Sequence, residues 1–144
     1  MSLKWVWLLG CLLGSLQTLS AQESDYAAVS RALGYYLDGG TQNDFSTLKK
    51  AFHPDAVMMA AGDPMMRVNA LEFFGSRMKP GPPANRRTRI CEIKIDGEVA
   101  TARLEIKYPD FRFVDHMQLI KVDGAWKIVS KLFYKHDNAL VDQD

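Results

Sequence analysis

The chain has 144 residues, 47% of them hydrophobic, with 18 basic and 17 acidic residues and a formal charge of +1. A single domain is the expected organisation at this length, because one core can bury enough surface to be stable. The near-zero charge argues against a strongly basic nucleic-acid-binding protein and against an acidic, disordered chain. Ten Gly and six Pro are too few for a linker-like or collagen-like chain.

The first 21 residues have the pattern of a secretory signal peptide. Lys4 provides a short basic head, an apolar stretch runs from Trp5 to Leu13, and small and polar residues lead to Ala21. The apolar stretch is shorter than the roughly 20 residues that span a bilayer. We therefore predict cleavage after Ala21, export to the periplasm or the extracellular medium, and no stable membrane insertion afterwards. Two alternatives stay open: lipidation at Cys11, which follows Leu-Leu-Gly, and an uncleaved anchor.

Cleavage would also change the charge and the cysteine content. It removes Lys4, so the mature chain has equal numbers of basic and acidic residues, and it removes Cys11. Cys91 then has no partner within the chain for a disulfide, even in an oxidising compartment. The sequence has no CxxC pair and no HExxH motif, which are typical of zinc sites. We expect no metal, no cofactor and a fold stabilised by its core.

The first part of the mature chain predicts two helices. Apolar residues recur at helical spacing over Asp25–Leu37, and we expect Gly39 and Gly40 to end this first helix. A second, shorter helix follows, with Asn43 as its N-cap and Pro54 as its end.

Two short strands and a third helix come next. Ala56–Ala61 and Met65–Val68 read as strands joined by a Gly62-Asp63-Pro64 turn. Asn69 is a suitable N-cap for a helix over Ala70–Met78. Together with the first two, this gives three helices in the N-terminal half.

The C-terminal half predicts four strands in an antiparallel meander. Asp96-Gly97 and Asp123-Gly124 are strong two-residue hairpin turns. The strands are Arg89–Ile95, Glu98–Tyr108, Arg112–Val122 and Ala125–Lys135. Residues 137–144 read as a flexible C-terminal tail. Helices followed by an antiparallel sheet predict an α+β fold with one domain over residues 22–136.

The two hairpin turns predict which residues face each other and therefore which face of the sheet is buried. They place Ile93 opposite Ala100, Met117 opposite Ser130 and Leu119 opposite Ile128. The predicted core face contains Cys91, Ile93, Ala100, Ala102, Leu104, Ile106, Phe113, Met117, Leu119, Ile128 and Leu132. The predicted outer face carries His116 and Lys131 among other charged residues, together with an apolar stripe of Val114, Ile120, Val129 and Phe133.

Asp115 does not fit the apolar pattern of the core face. Its position in the strand points it inward, near Ser130 and Tyr134 across the predicted hairpin. A carboxylate there is costly unless it is hydrogen-bonded or lies in a hydrated pocket. Two interpretations stay open: an acid in a pocket, or an Asp that reaches solvent at a strand end or through a bulge.

Several segments resemble the nuclear transport factor 2-like (NTF2-like) superfamily, which includes SnoaL-like and ketosteroid isomerase-like proteins. The Phe-His-Pro-Asp-Ala segment at 52–56 and the Asp-Gly-Ala-Trp-Lys-Ile segment at 123–128 carry the resemblance, which covers about residues 24–136. More narrowly, the chain is similar to the bacterial branch labelled "putative lumazine-binding". The resemblance implies a cone in which three N-terminal helices pack on a curved antiparallel sheet around a pocket. This fold hosts enzymes and binding proteins alike.

We interpret the chain as an exported pocket protein that binds a small, largely apolar or aromatic molecule. The predicted ligand-binding residues are Tyr36, Phe52, Asp115 and Tyr134. One alternative is a cofactor-free isomerase or dehydratase with Asp115 as general base, because apolar surroundings raise the pKa of a carboxyl group. The other is a homodimeric structural or interaction module. In each case we expect a homodimer through the outer sheet face.

Other chemically suggestive residues have simpler explanations. His53 is expected to close the second helix, and His116 to lie in solvent. Four Met residues between positions 58 and 66 could bind a soft metal, but filling of the core is the favoured reading. The cluster of Arg86, Arg87 and Arg89 is expected to be a solvated edge rather than a phosphate site.

Overall fold

The structure, a computed structural model, describes residues 23–137. Its helices are α1 (Asp25–Gln42), α2 (Phe45–Leu48) and α3 (Ala70–Arg77), and its strands are β1 (Phe52–Ala60), β2 (Met66–Asn69), β3 (Arg87–Asp96), β4 (Val99–Lys107), β5 (Phe111–Val122) and β6 (Ala125–Asp137). A 3-10 turn, Lys49–Ala51, joins α2 to β1. The predicted signal peptide and residues 138–144 lie outside the described residues. Within 23–137, no helix combines the length and apolar character that crossing a membrane requires.

The helices pack on one six-stranded sheet, and the α+β prediction is confirmed. The strand order is β2-β1-β6-β5-β4-β3. The predicted meander forms four of these strands, and β1 adds to it through a parallel pairing with β6. The other neighbouring pairs are antiparallel. Strand β6 is therefore central, with β1 on one side and β5 on the other.

Helix α1 continues past the two glycines that we expected to end it. It extends to Gln42, and Asn43 ends it with a left-handed backbone, φ +54°. A methyl group on Gly39 would overlap the backbone nitrogen of Leu48. Gly39 therefore allows α1 and α2 to pack closely, and it serves this contact rather than ending the helix.

The start of α2 lies one residue beyond the prediction. Asp44, not Asn43, is the N-cap, and its carboxylate accepts hydrogen bonds from the backbone and hydroxyl of Thr47. The prediction for α3 is confirmed, since Asn69 Oδ1 accepts a hydrogen bond of 3.0 Å from the Glu72 amide.

The first hairpin differs from its predicted register by one residue on each strand. Gly97 and Glu98 form the turn, with φ +59° at Gly97, so that Asp96 pairs with Val99. A glycine in the first turn position suits this alternative two-residue turn. The change keeps most residues on the expected faces.

The prediction for Cys91 is wrong. The pairing of β3 with β4 shifts between Ile90 and Glu92, which leaves Cys91 at a β-bulge. Ile90 then packs against the core in its place, and the Cys91 thiol is half-buried.

The second hairpin is confirmed at its turn and altered farther along β6. Val122 pairs with Ala125 across Asp123-Gly124, and both turn residues have positive φ, as this turn requires. Leu119 pairs with Ile128 as predicted, but Gln118 pairs with Ser130. Val129 is thus the extra residue of a bulge in β6.

This bulge reverses the faces for the rest of β6. Lys131 pairs with the buried Met117 and turns inward, with 4% of its surface exposed. Phe133 also turns inward, whereas Leu132 and Tyr134 turn outward with 49% and 61% exposed. The predicted faces of these four residues are therefore wrong, because a bulge shifts the two-residue alternation by one.

Candidate functional site

Asp115 is a buried acid and does not reach solvent, as the second of the two interpretations would require. It lies in the middle of β5, opposite Leu104 of β4 and Phe133 of β6, and its exposed fraction is 0%. The hydroxyl of Tyr36 donates a hydrogen bond of 2.8 Å to Asp115 Oδ2. Tyr36 is itself 4% exposed on the inner face of α1. A helix and a strand distant in sequence thus meet at one carboxylate.

Lys131 completes a buried group of three residues. Its ammonium nitrogen lies 2.5 Å from Asp115 Oδ1. The same nitrogen lies 4.4 Å from the centroid of the Phe133 ring and 5.6 Å from that of Tyr36. The carboxylate compensates the buried positive charge, and the two aromatic faces add a weaker attraction. We call Tyr36, Asp115 and Lys131 the buried triad.

Burial shifts the pKa values of two triad members in opposite directions. Loss of solvation lowers the pKa of Lys131 below its usual 10.5, although the charge and hydrogen bond of Asp115 oppose this change. Burial, with the nearby negative charge of Asp115, raises the pKa of Tyr36 well above 10. At neutral pH Tyr36 therefore remains a hydrogen-bond donor, and Lys131 loses its proton more easily than an exposed lysine.

A cavity of about 190 Å³ lies beside the triad, between α1, α3 and the sheet. Aromatic and other apolar side chains form most of its wall, and the polar groups are two hydroxyls and two cations. Its lining is Tyr36, Met58, Phe73, Phe74, Arg86, Ile106, Tyr108, Phe113, Lys131 and Phe133. Asp115 is not in the lining: it lies behind Tyr36 and Lys131.

Arg86 holds one end of the cavity together. Its guanidinium donates hydrogen bonds to Thr41 Oγ1 at 2.9 Å, to the Leu37 carbonyl at 3.0 Å and to the Tyr108 hydroxyl at 3.0 Å. The C-terminal part of α1 is thereby fastened to the end of β4. The expectation of a solvated edge is wrong for Arg86, because its planar group finds three acceptors in a partly buried position.

The structure brings three of the four predicted site residues together. Tyr36 lines the cavity and Asp115 supports it from behind. Phe52 is 2% exposed, and its ring meets the Tyr36 ring edge to face at 5.6 Å. Phe52 therefore fixes the position of Tyr36 from outside the lining. Tyr134 lies on the other face of the sheet, where its ring contacts that of His136.

Sequence reasoning missed Lys131, Phe133 and Arg86. The first two were assigned to the outer face because nothing in the Ala125–Lys135 segment indicates the bulge at Val129. Lys131 shares its alternation with Lys127 and Lys135, so the pattern of the strand favours a charged outer face.

The four methionines do not converge. Met58 is 1% exposed in the core and lines the cavity, Met66 packs against the core, and Met65 is 59% exposed. Within the described part of the chain, no group of three or more His, Cys, Asp and Glu side chains is placed to hold a metal ion.

A larger cavity of about 300 Å³ lies at the N-terminal end of α1. Its polar groups already bind one another: Asp25 Oδ1 accepts hydrogen bonds from Lys121 Nζ at 2.9 Å and from Trp126 Nε1 at 3.1 Å. These charged side chains are partly exposed. The buried triad beside an aromatic cavity is therefore the stronger candidate site.

Helices packed on a sheet around such a cavity define an NTF2-like protein. The chain belongs to the family described as "Putative lumazine-binding", whose model matches residues 24–134. An NTF2-like protein of unknown function from Methylobacillus flagellatus is 31% identical, with a TM-score of 0.68 over 80% of this chain and 96% of that one. Another, from Shewanella baltica, is 27% identical, with a TM-score of 0.70 over 78% and 94%.

Among curated proteins, the chain is similar to a fungal protein, Aldolase FrzH from Cladobotryum sp. The two are 22% identical over 116 residues, which cover 78% of this chain and 93% of the relative.

Proposed function

We propose that the protein binds a small aromatic molecule bearing an anionic or carbonyl oxygen in the cavity beside the buried triad. The observation that carries the proposal is an aromatic wall interrupted by the ammonium group of Lys131. Binding sites are typically apolar cavities with a few convergent polar groups. Here the ring of the ligand would pack against Phe74 and Phe113, and its oxygen would face Lys131.

The volume of the cavity limits the size of the ligand. It is about 190 Å³, whereas drug-sized sites occupy roughly 300–1,000 Å³. An engineered apolar cavity of about 150 Å³ is known to bind benzene. One aromatic ring with a small substituent therefore matches the space.

The charges at the cavity favour an anion over a cation. Arg86 and Lys131 each contribute a positive charge to the lining, and only Asp115 behind them is negative. A partly desolvated excess of positive charge attracts a carboxylate or an enolate and repels an ammonium group. The ligand class is therefore an aromatic acid or a carbonyl compound rather than an amine.

Three compounds of nearly equal size test this proposal without any change to the protein. We expect benzoate to bind more tightly than benzyl alcohol, and benzyl alcohol more tightly than benzylammonium, in titration calorimetry. A charge-assisted hydrogen bond contributes about 1.5–3 kcal/mol, so benzoate should exceed benzylammonium by roughly ten- to hundredfold. Equal affinities, or preference for benzylammonium, would contradict the proposal.

A second candidate is an enzyme that forms an enolate from a bound carbonyl compound. The buried triad favours it, because Tyr36 can donate to a carbonyl oxygen and Lys131 can exchange a proton. The relative that is named an aldolase supports this candidate. Both oxygens of Asp115 face triad partners. In an isomerase or dehydratase that uses Asp115 as its base, the proton would therefore have to pass through Tyr36 or Lys131. Exchange of acetophenone α-protons with D₂O, lost in Asp115→Asn, tests this candidate.

Export is also part of the proposal, on the basis of the sequence pattern of the first 21 residues. The expected product in the exported fraction begins at Gln22 and carries no lipid. Mass spectrometry of the N-terminal peptide would detect this end. A chain that retains residues 1–21, or that begins at a lipidated Cys11, would contradict it.

The homodimer through the outer sheet face stays a proposal. Leu132 and Tyr134 form an exposed apolar surface on this face after the bulge in β6, and they lie beside Val114, which is already covered within the chain. Phe133, which we had placed in this stripe, lies on the other face. Light scattering should give twice the mass of one chain at micromolar concentration, and Leu132→Glu should reduce it to one. A monomeric wild-type protein would contradict this proposal.

A further inference from the structure

We propose that Lys131 Nζ is a nucleophilic amine that forms a Schiff base with small aromatic aldehydes and ketones held in the cavity. The inference rests on the proposed function, since the cavity must first admit the aromatic ring. It adds a chemical step, which is the formation of a covalent bond to carbon. It also adds a class of substrate, which is carbonyl compounds.

The position of Lys131 supports this step. The other described lysines do not line the cavity, so a bound carbonyl group has one amine within its wall. The Lys131 side chain is 5% exposed and packs against the rings of Phe133 and Tyr36. A ligand ring stacked in the same wall would bring a substituent carbonyl close to Nζ. Proximity of this kind is the main requirement for condensation.

The partners of Lys131 supply the proton transfers that condensation needs. Asp115 accepts a proton from the ammonium group, and the free electron pair of Nζ then attacks the carbonyl carbon to form a C–N bond. Asp115 returns this proton through the Tyr36 hydroxyl to the carbonyl oxygen, and Asp115 then takes the remaining extra proton from nitrogen. The same relay delivers that second proton to the new hydroxyl group, and the C–O bond breaks as water leaves. The products are a protonated imine paired with Asp115 and one water molecule.

The electrostatic setting makes the ammonium group of Lys131 easier to deprotonate than that of an exposed lysine. Burial lowers the pKa of Lys131, and the positive charge of Arg86 acts in the same direction, while Asp115 opposes both. Desolvation and a neighbouring cation are the two means by which proteins activate a lysine nucleophile. Lys131 combines them with a carboxylate close enough to exchange its proton.

Two lysines provide matched comparisons within the same protein. Lys121 also lies 2.9 Å from a carboxylate, that of Asp25, but it is more exposed, and its pKa is raised by that hydrogen bond. Lys135 lies four residues after Lys131 in β6, which is two periods of the strand alternation, and its side chain is 51% exposed. If an adjacent acid, or a position in β6, were enough to make a lysine nucleophilic, Lys121 and Lys135 would react as well as Lys131.

Reductive trapping tests the inference directly. The purified protein is incubated with benzaldehyde and sodium cyanoborohydride at neutral pH, and the modified lysines are located by peptide mass spectrometry. We expect Lys131 to carry the benzyl group in about tenfold or greater excess over Lys121 and Lys135. Benzoate, which fits the cavity but forms no imine, should slow modification of Lys131 and leave the other two unchanged. Uniform labelling, or no effect of benzoate, would overturn the inference.

A variant and a second ligand separate this inference from the proposed function. Lys131→Arg retains the positive charge but has no amine that reacts at neutral pH. Labelling at position 131 should therefore disappear in this variant. The matched variant Lys135→Arg should leave the labelling of Lys131 unchanged. Benzyl alcohol reports on the cavity independently of any reaction. If benzyl alcohol binds and benzaldehyde leaves Lys131 unmodified, the Schiff base is wrong and the binding function stands. If benzyl alcohol does not bind, the binding function itself fails.

Discussion

The two ends of α1 carry similar groups in different surroundings. At its N-terminal end, Asp25 binds Lys121 and the indole N–H of Trp126. Farther along, Tyr36 donates to Asp115, which pairs with Lys131. Each group contains a carboxylate, a lysine within 3 Å and an aromatic hydrogen-bond donor.

The two groups differ in burial, and burial reverses the direction in which the pKa of the lysine shifts. In the exposed group 44% of Asp25 and 25% of Lys121 are accessible, and the hydrogen bond to the carboxylate raises the pKa of Lys121. In the buried triad 0% of Asp115 and 5% of Lys131 are accessible, and the pKa of Lys131 is lowered. The partner of a charge does not determine its chemistry alone, because loss of water can exceed the effect of the partner.

The largest expected effect is that of removing a carboxylate charge at each end. Asp115→Asn leaves the buried Lys131 charge without its partner and should destabilise the protein by about 3–5 kcal/mol. Asp25→Asn, the matched change in the exposed group, should have a much smaller effect. Urea unfolding would measure both. Equal losses, or a gain in stability for Asp115→Asn, would mean that burial does not distinguish the groups.

The double variant Asp115→Leu/Lys131→Met isolates the cost of the unpaired charge. Because it removes both charges, it should be more stable than Asp115→Leu alone, although it has one more substitution. A double variant less stable than the single one would indicate that Lys131 contributes through packing rather than charge.

The next effect concerns the space around two glycines of α1, Gly39 and Gly34. Gly39→Ala should destabilise by about 1–3 kcal/mol, because the added methyl group overlaps the Leu48 backbone. Gly34→Ala is the matched control on the same helix: nothing lies within 4 Å of the new methyl group, so a gain of roughly 0.5–1 kcal/mol is expected. Thermal unfolding distinguishes the two signs. An unchanged stability of the Gly39→Ala variant would show that α1 and α2 can separate slightly.

A smaller effect is the order in which the two lysines titrate. In NMR titrations of lysine Hε and Cε, Lys131 should reach its midpoint below 10.5 and Lys121 above it. Between the lowered pKa of Lys131 and 10.5, the unfolded chain binds more protons, so this residue should make the free energy of unfolding rise with pH. Lys121 and Tyr36, whose pKa values are raised, act in the opposite direction above about 10. Identical midpoints would remove the distinction between the groups.

The smallest effect is the acid dependence of the exposed group. Hydrogen bonds from Lys121 and Trp126 lower the pKa of Asp25 below 3.8. The stability that its charge contributes should be present above pH 3.8 and disappear as pH falls through the lowered pKa. The difference in melting temperature between wild type and Asp25→Asn should therefore be seen at neutral pH and vanish in strong acid. A difference that persists in acid would point to a role for Asp25 other than its charge.

The order of the elements and the antiparallel meander could be predicted from the sequence, because they depend on local patterns. Asn69 caps α3, and the positive φ values of Asp123 and Gly124 form the second hairpin as expected. The inward position of Asp115 followed from its alternation in β5. Each of these features depends on one turn or one strand and requires no knowledge of distant contacts.

The features that sequence reasoning missed depend on contacts between distant segments. Gly39 resembles a helix end until Leu48 is placed against it. The bulge at Val129 carries no turn residue that would indicate it, yet it brings Lys131 into the core and removes Tyr134 from it. The Arg86 side chain finds its acceptors on α1 and at the end of β4. Lys131, Phe133 and Arg86 therefore enter the proposed site through tertiary packing, which the periodicity of the sequence does not encode.

The most direct test of the binding function is the location of bound benzoate by nuclear Overhauser effects. Met58 lines the cavity and is 1% exposed, whereas Leu132, one residue from the triad lysine in β6, is 49% exposed on the outer face. We predict contacts from the benzoate ring protons to the Met58 methyl group and none to the Leu132 methyl groups. Contacts to Leu132 without contacts to Met58 would place the ligand on the outer face and contradict the proposed site.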